Sequence, residues 1–341
     1  MQKLPHAKVG DHHTLEISIG DDMLLFSFAS HAFVPGPLPH HGVRAQPLAA
    51  SVAMQADKVT VSRRNLAVGA AALTTLSQQP LAACAGEIKS VVVAGATGQT
   101  GRRCVERLVK MGGVSVVGGV RDPAKAAKKL AESKIEIRGA MIQQGAAIDA
   151  SAVDLKAIDV EKSSVAEMTA ALKGADGLVI ATGFVPGNPF KMNEAAHVVD
   201  NVGTIKLVDA AKAAGVSKVV LVSSILTDGG AWGQLDSPGY KITNAFGAVL
   251  EEKLVAEKYL RASGLDWTIV RPGGLKADPP TGALFVSGEN TLNSGEISRD
   301  LVADVSVAAL FDAKATNKVV EIVESDKDGN AKNGVFNGLK M

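Results

Sequence analysis

The sequence predicts an α/β fold in which about seven strands form a doubly wound parallel sheet with helices on both faces. The first observation is that short apolar runs alternate along the chain with segments of helical periodicity. The second is that aromatic residues make up only 4% of the chain, so Ala, Val and Gly supply the apolar bulk. Such small side chains suit helices packed closely on a sheet. The predicted strands are 91–93, 114–120, 155–160, 177–182, 218–223, 267–271 and 319–323.

The helices are predicted from apolar spacing and from their end signals. Pro123 opens the second helix, since proline suits a first helical turn. Gly215 and Gly264 close the last two helices in the usual position for glycine. One helix follows the first strand directly, and the others are 123–131, 164–172, 199–213 and 248–263.

A glycine-rich turn joins the first predicted strand to the first predicted helix. Gly95, Gly98 and Gly101 stand in a G-x-x-G-x-x-G spacing between Val91–Val93 and an apolar helical face. The first glycine permits the tight turn, the second lets a phosphate approach the backbone, and the third lets the helix pack on the strand. The helix N-terminus then offers free N–H groups to an anion. An ordinary turn also contains glycines, but the strand before and the helix after favour dinucleotide binding in a Rossmann domain.

One Rossmann domain is predicted over residues 86–330, with a C-terminal tail at 331–341. The stretch 139–153 is irregular and has the character of an inserted loop. Two further stretches, 226–246 and 276–296, are unassigned and follow the carboxyl ends of strands. Because ligands bind at that edge of open α/β sheets, these loops are candidates for lining a site.

Composition excludes several classes of function. A net charge of +1 argues against a nucleic-acid-binding surface. Two cysteines cannot form a disulfide framework or a cysteine-based metal site. Of the seven histidines only His197 lies beyond residue 41, so the folded part lacks material for a histidine metal site or a Ser-His-acid triad. We therefore expect no metal, and no transmembrane segment in the mature domain.

The first 85 residues are interpreted as a targeting leader. Between Met23 and Ala56 there is no acidic residue, while Ser, Ala, Pro and His recur, as in organelle transit peptides. Acidic residues upstream favour Met23 as the start of that leader. The alternative is an Ala-rich tail without secondary structure.

A second signal follows within the leader. Arg63-Arg64, the short apolar run 66–76 and Ala83-Cys84-Ala85 together resemble a twin-arginine export signal with its cleavage site. Transit peptide and export signal in tandem would address a protein to the thylakoid lumen. Residues 81–84 also resemble a bacterial lipobox, which the long leader disfavours. We predict a chloroplast protein, in the stroma or at the thylakoid, with the lumen as a further possibility.

Over residues 88–325 the chain resembles the atypical short-chain dehydrogenase/reductases, the NAD(P)H-binding group that includes NmrA-like proteins. Within that group it is similar to a plastid branch related to flavin and biliverdin reductases and to NADP-binding proteins of the import translocon. The resemblance rests on VAGATGQTG, GVRD, ATGF, VSSIL, AEKYL, TIVRPGGL, DPPTG and ISRD.

The resemblance implies which residues hold a dinucleotide. It places Asp159 and Val160 at the adenine, and Arg271, Pro272 and Gly273 on the nicotinamide side. It further implies that the phosphates are lined by Thr97, Gly98, Gln99 and Thr100, and that the ribose is passed by Ala181, Thr182 and Gly183. Each segment also lies at the carboxyl end of a predicted strand, which favours cofactor contact over the alternative of a plain strand-ending turn at 271–273.

The residues after the second strand favour NADP over NAD. A fold specific for NAD usually has a carboxylate about 20 residues after the glycines, which binds the ribose 2′-hydroxyl. Here Arg121 stands 20 positions after Gly101, and Lys125 follows. A guanidinium can bind two oxygens of a 2′-phosphate at once. If Asp122 instead caps the strand, NAD would be preferred.

The usual proton donor of the superfamily is missing. Its reductases pair a serine with Tyr-x-x-x-Lys, in which the lysine lowers the pKa of the tyrosine and holds the ribose. Ser223 and Ser224 end strand five, and Lys253 matches the lysine, but Val249 stands four residues before it. Lys253 either binds ribose or is a solvated helix residue. Tyr240 is a candidate substitute acid.

Two functions of different classes follow. The first is an NADPH-dependent reductase of a flavin, quinone or tetrapyrrole-like acceptor, because solvent can protonate a conjugated acceptor. The alternative is an NADPH-sensing or assembly factor of the photosynthetic apparatus, without turnover. The corresponding partners are a small-molecule acceptor or a photosynthetic protein complex.

Overall fold

The computed structural model describes residues 87–339, with gaps at 133, 138–140, 145–146, 186, 246, 327–328 and 332–333. The leader predicted for residues 1–85, including both targeting signals, lies outside the described residues. Within the described part, no helix combines the length and apolar character needed to cross a membrane.

Twelve strands occur in the described ranges. In chain order they are β1 (Ser90–Ala94), β2 (Ser115–Val120), β3 (Lys134–Ile137), β4 (Met141–Gln144), β5 (Val153–Ala157), β6 (Gly177–Ile180), β7 (Lys218–Val222), β8 (Asp266–Pro272), β9 (Gly274–Lys276), β10 (Ala283–Ser287), β11 (Glu296–Ser298) and β12 (Lys318–Ser325).

Eight of these strands form one sheet in the order β10-β12-β8-β7-β6-β1-β2-β5. All neighbouring pairs are parallel except β10 with β12. The strand order reverses at β1, because the chain runs outward through β2 to β5 and then returns to β6. The predicted doubly wound parallel sheet is confirmed, with an antiparallel edge strand beyond the seven that the sequence indicated. The reversal creates a crevice at the carboxyl ends of β1 and β6.

Helices cover both faces of the sheet. They are α1 (Gln99–Met111), α2 (Pro123–Ala131), α3 (Val165–Leu172), α4 (Met192–Ala196), α5 (Thr204–Ala214), α6 (Pro238–Asn244), α7 (Val249–Ala262) and α8 (Arg299–Phe311). A π-helical turn, His197–Gly203, joins α4 to α5 without a break. The helix predicted at 199–213 is therefore longer and distorted in its first half.

The two faces are visible in the alternation along β1. Val91 and Val93 pack into a core with residues of α1, α2 and α8. Val92 and Ala94 pack into the opposite core with residues of α3, α5 and α7. Since successive strand side chains point to opposite faces, one continuous apolar run serves both cores.

The regions left unassigned by sequence contain short elements. The irregular stretch at 139–153 includes β4 of the antiparallel β3–β4 hairpin. The loop at 226–246 contains α6, and the loop at 276–296 contains β10. The two three-residue strands β9 and β11 pair with each other at the edge of that second loop. Such short strands depend on distant partners, which local periodicity does not reveal.

Candidate functional site

The turn after β1 requires glycine at the spacing seen in the sequence. Gly95 has φ +84°, a conformation that other residues rarely adopt. A Cβ atom on Gly95 would lie 2.9 Å from the Ala181 carbonyl oxygen, and one on Gly101 would lie 2.2 Å from the Gly95 carbonyl oxygen. One on Gly98 would lie 3.2 Å from that same oxygen. The turn therefore presses against both β6 and α1.

The N-terminus of α1 is open toward the crevice. Gly98 is its N-cap and offers no side chain, and the first turn contains no acidic residue. Its N–H groups and positive dipole end can therefore receive an anion. Two buried acceptor-capable atoms nearby, Oε1 of Gln99 and Oγ1 of Thr182, have no hydrogen-bond partner among the described residues. Such orphaned atoms fit a site that is completed by a ligand.

A cavity of about 490 Å³ adjoins the turn on the β2 side. The side chain of Arg121 is exposed and lines this cavity. The cavity also contains acidic groups at Asp122, Asp159 and Glu161. Its cationic lining is formed by Arg121, Lys125, Lys129 and Lys162.

Asp122 acts as the N-cap of α2. Its carboxylate accepts the backbone N–H of Lys125 at 3.1 Å, and the Lys125 Nζ atom lies 3.6 Å away. The Lys125 N–H holds the pKa of the Asp122 carboxyl below its ordinary value. The carboxylate that would favour NAD is therefore hydrogen-bonded to the helix start, although both it and the neighbouring Arg121 line the cavity.

The predicted adenine residues lie just beyond β5. Asp159 accepts the N–H groups of Glu161 at 3.0 Å and Lys162 at 3.3 Å, so it shapes the turn that forms one cavity wall. Val160 is buried and lies against Gly203, where an added Cβ would approach the Val160 Cβ to 2.9 Å. Both residues follow the strand rather than ending it, because β5 stops at Ala157.

The predicted ribose segment leads to a buried ion pair. After Ala181, Thr182 and Gly183, the Phe184 N–H donates to the Asp200 carboxylate at 3.0 Å. The other carboxylate oxygen lies 2.8 Å from Nζ of Lys253. Sequence reasoning missed Asp200, although a lone carboxylate in the apolar run His197–Gly203 was an available signal.

The predicted catalytic hydroxyls occupy the loop after β7. The Ser223 Oγ atom lies 3.3 Å from the Thr227 hydroxyl, which in turn donates to the Ser224 carbonyl oxygen at 2.7 Å. Tyr240 is buried in α6, and its hydroxyl donates to Glu251 at 2.8 Å. Burial, and then the Glu251 carboxylate, raise the pKa of Tyr240 to about 12. The phenol of Tyr240 is thus a weak acid that does not readily donate a proton.

Arg271, which the resemblance implies for the nicotinamide side, lies among buried carboxylates. Its side chain is fully buried, and NH2 lies 2.6 Å from the Glu257 carboxylate of α7. NH1 lies 3.4 Å from Glu321, its neighbour on β12, and 2.9 Å from the Asn290 oxygen. This guanidinium joins α7, β8 and β12, and a role on the nicotinamide side stays a prediction.

Pro272 and Gly273, predicted beside Arg271, are also buried. A Cβ atom on Gly273 would lie 2.4 Å from the carbonyl oxygen of Gly295. The glycine is therefore required for packing between β8 and the chain before β11. A contact of this pair with a cofactor stays a prediction.

The profile of the family described as NAD(P)H-binding matches residues 95–313, from the glycine turn to the end of α8. The chain belongs to the NAD(P)H-binding family. This confirms the resemblance to the atypical short-chain dehydrogenase/reductases and the prediction of a nicotinamide dinucleotide cofactor, while its place in the crevice stays a prediction.

Two relatives are similar in sequence, and one solved structure shares the fold. An uncharacterized chloroplastic protein of Arabidopsis thaliana, At2g34460, is 45% identical over 69% of this chain and 76% of its own length. The chloroplastic protein TIC 62 of Pisum sativum is 33% identical over 68% of this chain, which spans only 42% of TIC 62. The oxidoreductase ylbE of Lactococcus lactis shares the fold with a TM-score of 0.56 and 21% identity, over 72% of this chain and 94% of ylbE.

Proposed function

We propose that this NAD(P)H-binding protein is an NADPH-dependent reductase of the plastid that acts on a flavin, quinone or tetrapyrrole-like acceptor. The observation that carries the choice of cofactor is the exposed guanidinium of Arg121 in the cavity beside the glycine turn. Asp122, the competing carboxylate, is held by α2. The negative charge of a 2′-phosphate would be stabilised by Arg121 and the lysines of this lining.

Different residues of the crevice bind different parts of the cofactor. The open N-terminus of α1 receives the phosphates, and Arg121 with the nearby lysines receives the 2′-phosphate. The orphaned Thr182 hydroxyl and the Lys253 ammonium serve the ribose. The bound dinucleotide supplies a hydride at its nicotinamide ring.

The class of acceptor follows from the groups that could move a proton. Val249 occupies the position of the usual tyrosine and cannot donate one. Tyr240 donates its hydrogen bond to Glu251 and has a raised pKa of about 12, which disfavours transfer at neutral pH. A conjugated acceptor tolerates this arrangement, because charge delocalises after hydride transfer and water supplies the proton.

The test uses the purified full-length chain with NADPH and a panel of free flavin, a soluble quinone and a bilin, with a simple ketone as the contrasting substrate. We expect loss of the absorbance of reduced nicotinamide with at least one conjugated acceptor and none with the ketone. If NADPH binds but no acceptor of the panel oxidises it, the reductase is refuted and the non-catalytic NADPH sensor is the better description.

Plastid location is supported by the chloroplastic relatives and by the acid-poor leader. NADPH is made and used mainly in the stroma, which favours that compartment over the lumen. N-terminal sequencing of protein isolated from its source decides the matter. A leader retained through Arg63 would exclude lumenal processing. Lumenal processing would be established if the mature protein starts near Gly86 and if Arg64→Lys prevents that cleavage.

A further inference from the structure

Lys253 and Asp200 form a buried ion pair at the end of the ribose segment. Their charged atoms lie 2.8 Å apart, and the side chains are 16% and 1% exposed. The second carboxylate oxygen of Asp200 accepts the Phe184 N–H at 3.0 Å. One carboxylate therefore connects the loop after β6, the π-helical turn and α7.

The pair lies directly behind the segment assigned to the ribose. A Cβ atom on Gly183 would be 3.8 Å from the Asp200 oxygen that faces Lys253. Phe184, which Asp200 holds, follows Gly183 in the chain. The ammonium is thus fixed beside the predicted ribose contacts, although the tyrosine that would normally stand one turn earlier is replaced by Val249.

We propose that Asp200 is a positioning residue that holds the Lys253 ammonium in place for the ribose of the cofactor. This inference rests on the proposed function, which assigns Lys253 to that ribose. The 2.8 Å contact is an ion pair, and an ammonium carries three N–H donors, so donors remain for a ligand.

The geometry of the π-helical turn fits this role. Asn201, next to Asp200, donates to Glu252 at 2.7 Å, and the His197 ring lies 3.0 Å from the same carboxylate. These contacts bind the turn to α7 beside Lys253. π-Helical turns frequently occur at functional sites, where the extra residue redirects side chains.

The chain contains a second half-buried Lys–Asp pair that serves as a matched control. Nζ of Lys218 lies 2.6 Å from Asp266, and these residues begin β7 and β8. The pair is therefore at the amino edge of the sheet, opposite the crevice. Asp266→Asn removes a comparable charge without touching the cofactor site.

The experiment is a double-mutant cycle on the full-length chain, with NADPH and NADH dissociation constants measured by calorimetric titration. The variants are Asp200→Asn, Lys253→Met and the two combined. We expect each single variant to weaken both cofactors about tenfold or more, by the same factor for NADPH as for NADH. The combined variant should have the same affinity as whichever single variant binds the cofactors more weakly. Asp266→Asn should bind both cofactors with wild-type affinity.

Additive losses in the combined variant would overturn the inference, because Asp200 would then act independently of Lys253. If Lys253→Met leaves both affinities unchanged, Lys253 does not contact the ribose. That result would refute this part of the proposed function, and the inference about Asp200 with it. Should Asp200→Asn fail to fold, Asp200→Glu keeps the charge but displaces the carboxylate by one methylene group. Positioning predicts weaker binding of both cofactors by Asp200→Glu, and wild-type affinity would contradict it.

Discussion

A Cβ atom on Gly101 would lie 2.2 Å from the carbonyl oxygen of Gly95, a separation that no packed structure tolerates. Only glycine therefore fits at the third position of the turn, because α1 packs directly against the chain that follows β1. Glycine is required at the first position because of its positive φ and because the Ala181 carbonyl lies so close. The binding turn and the packing of α1 on β1 are consequently one structural requirement.

Gly101→Ala should disturb both stability and binding. The added methyl group forces α1 away from the turn, and such overpacking typically costs about 1–3 kcal/mol. We expect a lower melting temperature and at least a tenfold weaker NADPH affinity, measured by thermal unfolding and titration. Gly288→Ala is the control, because no atom lies within 4 Å of its added Cβ. A wild-type affinity in Gly101→Ala would contradict the role of the turn.

Arg121→Ala should weaken NADPH and spare NADH. Loss of a charge-assisted bidentate contact costs roughly 1.5–3 kcal/mol, or about ten- to a hundredfold in affinity. Lys128→Ala is the matched control, since this exposed lysine of α2 is outside the cavity lining. Equal losses for the two cofactors would show that Arg121 does not contact a 2′-phosphate.

Tyr240→Phe, alone and with Ser224→Ala, should leave reduction of the conjugated acceptor within about twofold of wild type. The reason is that the phenol is committed to Glu251 and has a pKa of about 12. A positioned acid typically contributes roughly 10²–10⁴-fold, so its absence also predicts negligible ketone reduction. Steady-state rates with both substrates check this. Efficient ketone reduction that survives both substitutions would require another donor.

Glu324→Gln should destabilise the protein at neutral pH but not in acid. Burial alone would raise the pKa of Glu324, but hydrogen bonds from Lys276, Ser298 and Thr281 lower it from 4.5 to about 2. A lowered carboxyl pKa stabilises the fold above pH 4.5, by up to about 3 kcal/mol, and this contribution is lost as the pH falls toward 2.

Urea unfolding at a series of pH values measures this effect. The difference between wild type and Glu324→Gln should be largest near pH 7 and should shrink steadily below pH 4.5. Glu87→Gln, at a side chain that is 81% exposed, should follow wild type throughout. A pH-independent difference for Glu324→Gln would mean that packing, not ionisation, is responsible.

Local sequence patterns were sufficient for the sheet and for the glycine turn. β-Branched runs predicted the parallel strands, and the spacing of Gly95, Gly98 and Gly101 predicted the crevice, because both depend on neighbouring residues. Strand ends were displaced by one to three residues, as at β5, since the last ladder hydrogen bond depends on the partner strand. The edge strand β10 was missed for the same reason.

The ion pairs could not be predicted from local pattern. Asp200 and Lys253 are 53 positions apart, and Arg271 meets Glu257 and Glu321 only after α7 and β12 have packed on β8. A motif such as RPGG does not reveal which way its arginine side chain points. The one available signal is a charged residue inside an apolar run. It indicates that the charged side chain is buried and paired, but it does not identify the partner.

We expect the crevice to bind NADPH in preference to NADH. Calorimetric titration of the full-length wild-type chain with each reduced cofactor measures this preference. The dissociation constant should be about ten- to a hundredfold lower for NADPH, because of the guanidinium of Arg121. Equal dissociation constants, or tighter binding of NADH, would contradict it.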